Sequence, residues 1–168
     1  IASVFYDPAG FGICFADVST GEALFTQSNE KDPERRIINE LSKFAPKELL
    51  FNGKFVDCLE ARDFIKSRLR CVEDPQDDGV YEQKTCVKAV LSQFNKPDLE
   101  SLGLKGKTFA LYAVGSLIQY LRETQMSGAQ RLTVLNAYSE EQYLSIDFTA
   151  RRNLELTETM RTKEKKGS

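Results

Sequence analysis

The amino-acid sequence predicts an α/β fold built on a mixed sheet with flanking helices. Two patterns lead there. The first thirty residues alternate β-rich runs with tight-turn chemistry, and the next sixty alternate helical periodicity with short apolar runs. The chain is also long enough, at 168 residues, to bury roughly 70% of its unfolded surface around one core. Its 41% hydrophobic and 29% charged residues are ordinary for a globular domain.

Ser3–Asp7 and Phe11–Val18 are rich in Val, Ile, Phe and Tyr. Between them Asp7-Pro8-Ala9-Gly10 has the residues that favour a turn. Ser19-Thr20-Gly21 makes a second turn and Glu22–Gln27 a third strand. Three strands joined by short turns imply an antiparallel meander. Asp32 and Pro33 then supply an N-cap and a proline at the first helical position. Ile37, Ile38, Leu41 and Phe44 follow on one helical face, and Pro46 closes the helix. Glu48–Phe51 is a short apolar strand ended by an Asn52-Gly53 turn. Asp57 and Glu60 have capping-box-like spacing ahead of a second helix carried by Ala61, Phe64, Ile65 and Leu69. Cys71-Val72 is at most a short strand, and Asp74–Gly79 reads as an acidic loop. Val87, Val90, Leu91 and Phe94 mark a third helix with Lys84, Lys88 and Ser92 on its solvent side. A helix between two strands implies parallel neighbours and a right-handed crossover. A three-strand meander continued by βαβ units is the ribonuclease H-like arrangement, and that is the expected fold.

Pro97–Gly106 reads as a connector. A long helix follows, with Ala110, Val114, Leu117, Ile118, Leu121 and Gln125 on one face and Ser127-Gly128 as its stop. Leu132–Leu135 and Tyr143–Ile146 are short apolar patches of extended or unassigned type, and Ala150–Met160 is helical again, so a helical C-terminal segment is expected. The domain boundary is placed after Ser127, giving domains 1–127 and 128–168. Motion is expected at Pro97–Gly106 and Met126–Asn136. Residues after Met126 are expected to pack poorly because their apolar face lacks partners. The start at Ile1 and the end at Lys165-Lys166-Gly167-Ser168 both read as cuts in a longer protein.

Several function classes lose support on composition. The formal net charge of −2 gives no bulk electrostatic case for nucleic acid or anionic membrane. No apolar run approaches the ~20 residues of a membrane span. The chain has no histidine, and its four cysteines (Cys14, Cys58, Cys71, Cys86) form no CxxC pair, which argues against a zinc site. Nothing suggests secretion, so buried reduced thiols in a cytoplasmic protein are expected. Without histidine, no Ser/His/Asp or Cys/His pair is possible.

Four constellations stand out against that background. Gly106-Lys107-Thr108 opens a helix like a phosphate-binding loop, but Ser101 occupies the place of the required glycine and the residues upstream make a poor strand, so a plain helix entry is expected. Asp7, Glu40 and Asn52 sit roughly where ribonuclease H-like nucleases hold two divalent metals, although Asp7 and Asn52 read as turn residues. Arg151, Arg152, Arg161, Lys163, Lys165 and Lys166 outnumber the acids after residue 150 and are able to touch phosphate, while Glu140-Glu141 reads as solvated loop charge. The solvent face of the third helix, near Lys84, Lys88, Ala89 and Ser92, is a candidate protein contact.

Four segments carry a resemblance to a known family. Ile13-Cys14-Phe15-Ala16-Asp17-Val18-Ser19-Thr20-Gly21-Glu22 is the first. Asn39-Glu40-Leu41 with Pro46-Lys47-Glu48-Leu49-Leu50 is the second, and Leu102-Gly103-Leu104 with Ala113–Leu121 the third. The most specific is Ile146–Thr157, containing Thr149-Ala150-Arg151-Arg152-Asn153-Leu154-Glu155-Leu156, with Ala150 where threonine is usual. In this order they resemble bacterial MutS-type DNA mismatch repair proteins, over the connector domain and the start of the core (lever) domain. The resemblance implies a ribonuclease H-like connector and a cytoplasmic protein. It implies coupling between mismatch-reading and ATPase parts, and docking of a MutL-type partner, which is carried to Lys84, Lys88, Ala89 and Ser92. The mismatch-reading motif and the ATPase domain are not among these residues. No catalytic, metal or cofactor-binding residue is therefore expected here. ATP, Mg2+ and most DNA contacts would belong to other parts of a homodimeric full-length protein. The alternatives are a metal-dependent nuclease of ribonuclease H type and a generic DNA-binding module.

Overall fold

A computed structural model of the chain describes residues 1–139. Six strands form one mixed sheet in the order β5-β4-β1-β2-β3-β6. β1 (Ala2–Asp7), β2 (Gly10–Asp17) and β3 (Glu22–Ser28) make the expected antiparallel meander. β4 (Glu48–Phe51) lies parallel to β1, and β5 (Val72–Pro75) parallel to β4. β6 (Val134–Ala137) pairs in parallel with β3 at the other edge. The helices are α1 (Pro33–Phe44), α2 (Leu59–Phe64), α3 (Gln83–Phe94), α4 (Thr108–Thr124) and α5 (Met126–Arg131). A single π turn, Ile65–Leu69, prolongs α2.

Strand side chains alternate between faces, and each face of the sheet finds its own helices. Phe15 stacks on Phe44 of α1 with ring centroids 4.1 Å apart, and Phe51 meets Phe55 at 5.0 Å. Ala2, Val4, Phe11, Ile13 and Leu49 share that face and are buried with them. On the opposite face Ser3 shares a 2.9 Å hydrogen bond with Ser116 of α4, and Phe5 lies 4.8 Å from Tyr112. Cys14, Ala16, Ala23, Phe25 and Leu50 complete that core with α3 and α4.

Local chemistry accounts for most boundaries. Asp32 caps α1 by accepting from the Arg35 N–H at 3.4 Å, with Pro33 at the first helical position. Ala45 in the left-handed region ends that helix by donating its N–H to the Leu41 carbonyl, just ahead of Pro46. α2 begins otherwise than the spacing suggests. Asp57 belongs to a 3-10 turn, and the cap residue Cys58 offers no side-chain bond. The open N–H of Ala61 is instead taken at 2.8 Å by Glu34, reaching across from α1. A sequence pattern cannot reveal a cap supplied by another helix. β5 likewise extends into the expected acidic loop, because Glu73, Asp74 and Pro75 pair with Leu49, Leu50 and Phe51.

α4 is the largest buried helix, and two glycines let it in. A Cβ on Gly12 of β2 would overlap the Phe109 carbonyl at the start of α4. A Cβ on Gly115 would lie 2.6 Å from the Cβ and 2.7 Å from the sulfur of Cys86 on α3. α4 is therefore pressed against the sheet on one side and α3 on another. Leu111, Ala113 and Ser116 are buried along with the expected Ala110, Val114, Leu117, Ile118 and Leu121.

The chain beyond α4 departs from expectation. Gln125, placed on the apolar face by periodicity, is exposed, because the helix ends at Thr124 and Gln125 takes an extended φ of −144°. Ser127-Gly128 does not stop α4 but lies within α5, where Gly128 and Ala129 are buried. Met126–Asn136 is thus a helix and most of an edge strand rather than a linker. Leu132 and Leu135 are buried, so the poor packing expected after Met126 does not hold as far as Ala137. The first compact unit runs from Ile1 to Ala137, ten residues beyond the boundary placed after Ser127, because β6 completes the sheet. The second unit, Tyr138–Ser168, lies almost wholly outside the described residues, as do Tyr143–Ile146 and Ala150–Met160.

Gly12→Ala and Gly115→Ala should each lower the free energy of unfolding by about 1–3 kcal/mol, as overpacked core sites do. A urea midpoint unchanged in both variants would show that α4 is not in close contact with either neighbour.

Candidate partner-docking surface

α3 owes its position to a half-apolar sequence. Cys86, Ala89, Val90 and Phe94 recur at helical spacing and are buried. At its start Thr85 donates to the Glu82 carboxylate at 2.6 Å. Asn95 ends it in the left-handed region, φ 54°, with its N–H on the Leu91 carbonyl.

The four residues singled out on this helix separate into two groups. Lys84, Lys88 and Ser92 are exposed and succeed one another at four-residue spacing. Ala89 is not part of that face. It is 5% exposed and belongs to the core cluster, because it sits three residues after Cys86 and one before Val90, on the apolar side. Only its carbonyl reaches the polar surface, where it accepts from Arg122.

Two further residues complete the surface. Arg122 of α4 donates to the Ser92 hydroxyl at 3.0 Å and to the Gln93 side-chain oxygen at 3.0 Å and 3.3 Å, with a longer bond to the Ala89 carbonyl at 3.4 Å. The amide nitrogen of Gln93 in turn donates to the carbonyls of Ala129 and Leu132, at 2.6 Å and 2.8 Å. Those carbonyls lie where α5 ends, so Gln93 supplies its C-terminal acceptors with a donor from another helix. One chain of bonds therefore joins the exposed end of α3 to the entry of β6. Arg122 and Gln93 carry no sequence signal for this role, because their partners lie about thirty or more residues away.

The other constellations are engaged structurally. Asp7 accepts from the Ala9 N–H and from Lys54, both at 3.0 Å. The Ala9 bond first and Lys54 second hold its carboxyl below the usual range. Glu40 is buried and pairs with Lys43 at 3.3 Å. Asn52 is no exposed turn residue. It is 4% exposed, and its amide accepts from the Tyr6 N–H at 2.8 Å and donates to the Tyr6 carbonyl at 2.9 Å. It pins the end of β1 beside β4 where the strand ladder runs out. Among the described residues no group of three or more His, Cys, Asp or Glu side chains is arranged to hold a metal ion. Gly106-Lys107-Thr108 is a helix entry in which Lys107 lies 5.7 Å over the Phe25 ring. Arg151, Arg152 and the later basic residues, with Glu140-Glu141, lie outside the described residues.

The four cysteines are free thiols, three of them buried and Cys71 partly exposed. Burial pushes Cys14 and Cys86 up to about 12 and Cys58 up to about 11. No described helix is long and apolar enough to cross a membrane.

The geometry thus defines an α/β domain that presents one cationic helix face, braced from behind by a second helix. The family model described as MutS domain II matches residues 1–138. The chain is 35% identical to the DNA mismatch repair protein MutS of Lachnoclostridium phytofermentans over 158 residues, 94% of this chain and 16% of that protein. It is 32% identical to MutS of Alkaliphilus metalliredigens over 173 residues, covering 100% of this chain and 19% of that one. It is also 31% identical to MutS 1 of Haloarcula marismortui over 150 residues, 89% of this chain and 16% of that protein. The chain belongs to the MutS family of DNA mismatch repair proteins. It spans less than a fifth of the length of these relatives.

Two outcomes test this geometry. Asn52→Ala leaves both polar groups of Tyr6 without their partner and should cost about 1–3 kcal/mol of stability. Denaturation of the variant at the wild-type midpoint would refute the bridging role. The thiols give a pH dependence of definite sign. Their folded values lie above the ordinary 9.0. Their contribution is therefore fully present below pH 9.0 and is lost as pH rises towards 12, since the unfolded chain ionises first. Cys14→Ala should flatten that alkaline decline in unfolding midpoint, and an unaltered slope would contradict the burial assigned to Cys14.

Proposed function

We propose that this chain is the connector region of a MutS-type mismatch repair protein and has a ribonuclease H-like fold. It couples the mismatch-reading and ATPase parts and offers the solvent face of α3 to a MutL-type partner. The fold reading is supported by the strand order β3-β2-β1-β4-β5, with a meander on one side and parallel crossovers on the other. The docking reading rests on one observation: Lys84, Lys88 and Ser92 form an exposed stripe on a helix whose other side is locked into the core.

A coupling domain must move as a unit and pass displacement to its neighbours through its ends. The bonds from Arg122 through Gln93 to Ala129 and Leu132 favour that role, because they tie the stripe to the strand by which the chain leaves the sheet. We assign no catalysis to these residues. ATP and Mg2+ are taken to bind elsewhere in a homodimeric full-length protein, which also makes most of the DNA contacts. The reduced state of the four thiols suits a cytoplasmic location. The nuclease alternative fares poorly, since the amide of Asn52 is committed to Tyr6 on both its atoms.

The test is a titration of the isotope-labelled chain with the N-terminal region of the cognate MutL-type protein, monitored by amide chemical shifts. Shifts clustered on Gln83–Gln93 are expected and would spread to Ala129 and Leu132. Saturation without change on α3 would remove the docking assignment. A parallel incubation with Mn2+ and labelled nucleic acid should give no cleavage, and cleavage abolished by Asp7→Asn would install the nuclease reading instead.

A further inference from the structure

We infer that the stripe on α3 binds an acidic protein surface, with Lys84, Lys88 and Arg122 as the three cations that meet its carboxylates. The inference rests on the docking role proposed for α3 and adds the chemistry of the partner. Among the described residues Arg35, Arg36, Lys43, Lys54, Arg62 and Lys105 each lie within 4.0 Å of a carboxylate of this chain. None of those ion pairs includes a residue of α3 or Arg122. The hydrogen bonds of Arg122 all go to neutral oxygens, on Ala89, Ser92 and Gln93, so its charge is placed without being neutralised. Glu82, just before α3, accepts from the Thr85 hydroxyl and forms none of those ion pairs with Lys84 or Lys88.

Placement matters as much as charge. Lys84, Lys88 and Ser92 span about 12 Å along the axis, at 1.5 Å per residue. Arg122 lies at the far end because it reaches Ser92. The lysines are free to adjust, whereas the guanidinium is held through Nε and Nη2 by bonds to three residues of α3, which leaves Nη1 as the donor fixed in place for a carboxylate. A positive line about two turns long, fixed at one end and adaptable at the other, fits an acidic helix or loop laid along α3. Such charges act mainly on encounter rate and its salt dependence.

The experiment uses the intact protein with ATP and mismatched DNA bound, and measures association of its cognate MutL-type partner by stopped flow. Four forms are compared: wild type, the double variants Lys84→Glu/Lys88→Glu and Lys84→Gln/Lys88→Gln, and Lys66→Glu/Arg68→Glu as a control of equal charge change on another exposed surface. At low salt the glutamate pair on α3 should slow association about tenfold or more and the glutamine pair less, with the control near wild type. All four rates should converge as salt shortens the screening length from roughly 30 Å at 0.01 M to 3 Å at 1 M. Substitution of one partner carboxylate by lysine should restore part of the rate to the glutamate pair. Equal rates for all four forms would overturn the acidic-surface inference, while a continued chemical-shift response of α3 would leave the docking role standing. Loss of duplex DNA affinity in the α3 variants, with the partner rate unchanged, would also overturn it by making phosphate the occupant.

Discussion

The contact between Gly12 and the first turn of α4 is the constraint on which the remaining architecture depends. No side chain separates the β2 backbone from the Phe109 carbonyl there. α4 consequently lies low across β1 and β2, where Ser116 reaches Ser3 and Tyr112 meets Phe5. Gly115 repeats the device on the next side, admitting Cys86 and fixing α3 against α4. With α3 held at that height, Ala89, Val90 and Phe94 must face inward, and Lys84, Lys88 and Ser92 remain outside. The depth at which α3 and α4 pack is thus set by two missing Cβ atoms, while the apolar spacing of α3 itself decides which of its faces is exposed.

Much of the fold was legible because short-range chemistry specifies it. The turn residues between β1, β2 and β3, the Asp32-Pro33 start of α1, and the bounds of β4 all arise within a few residues of one another. What escaped depends on distant neighbours. The cap of α2 comes from Glu34 on another helix, and the polar role of Asn52 depends on Tyr6 in another strand. β6 was marked only as a short apolar patch at Leu132–Leu135, because its pairing with the edge of β3 lies more than a hundred residues away in the chain. Periodicity alone also carried α4 one residue too far, to Gln125, and the docking face carried over from the family resemblance included Ala89, which is buried in the core.

The candidate surface was legible in part for the same reason. Lys84, Lys88 and Ser92 can be read from the spacing of apolar residues on α3 itself. Arg122 and Gln93 cannot, since each gains its role only when α3, α4 and α5 are brought together. Membership of the MutS family gives this arrangement its setting, a domain of a DNA mismatch repair protein. In the proposed connector role, the network from Arg122 to Leu132 gives displacement of α3 a bonded route to β6, and the packed core limits how much of it is dissipated on the way.

Both roles require that sheet, α3 and α4 behave as one body. Native-state hydrogen exchange in increasing denaturant tests that requirement most directly. The account predicts that the amides of Ala113–Leu121 in α4 and of Ile13–Phe15 in β2 exchange only through one common opening, with the free energy and denaturant dependence of global unfolding. Exchange of the α4 amides through a separate opening of lower free energy, while β2 stays protected, would contradict it and leave α3 without the rigid support that its proposed role demands.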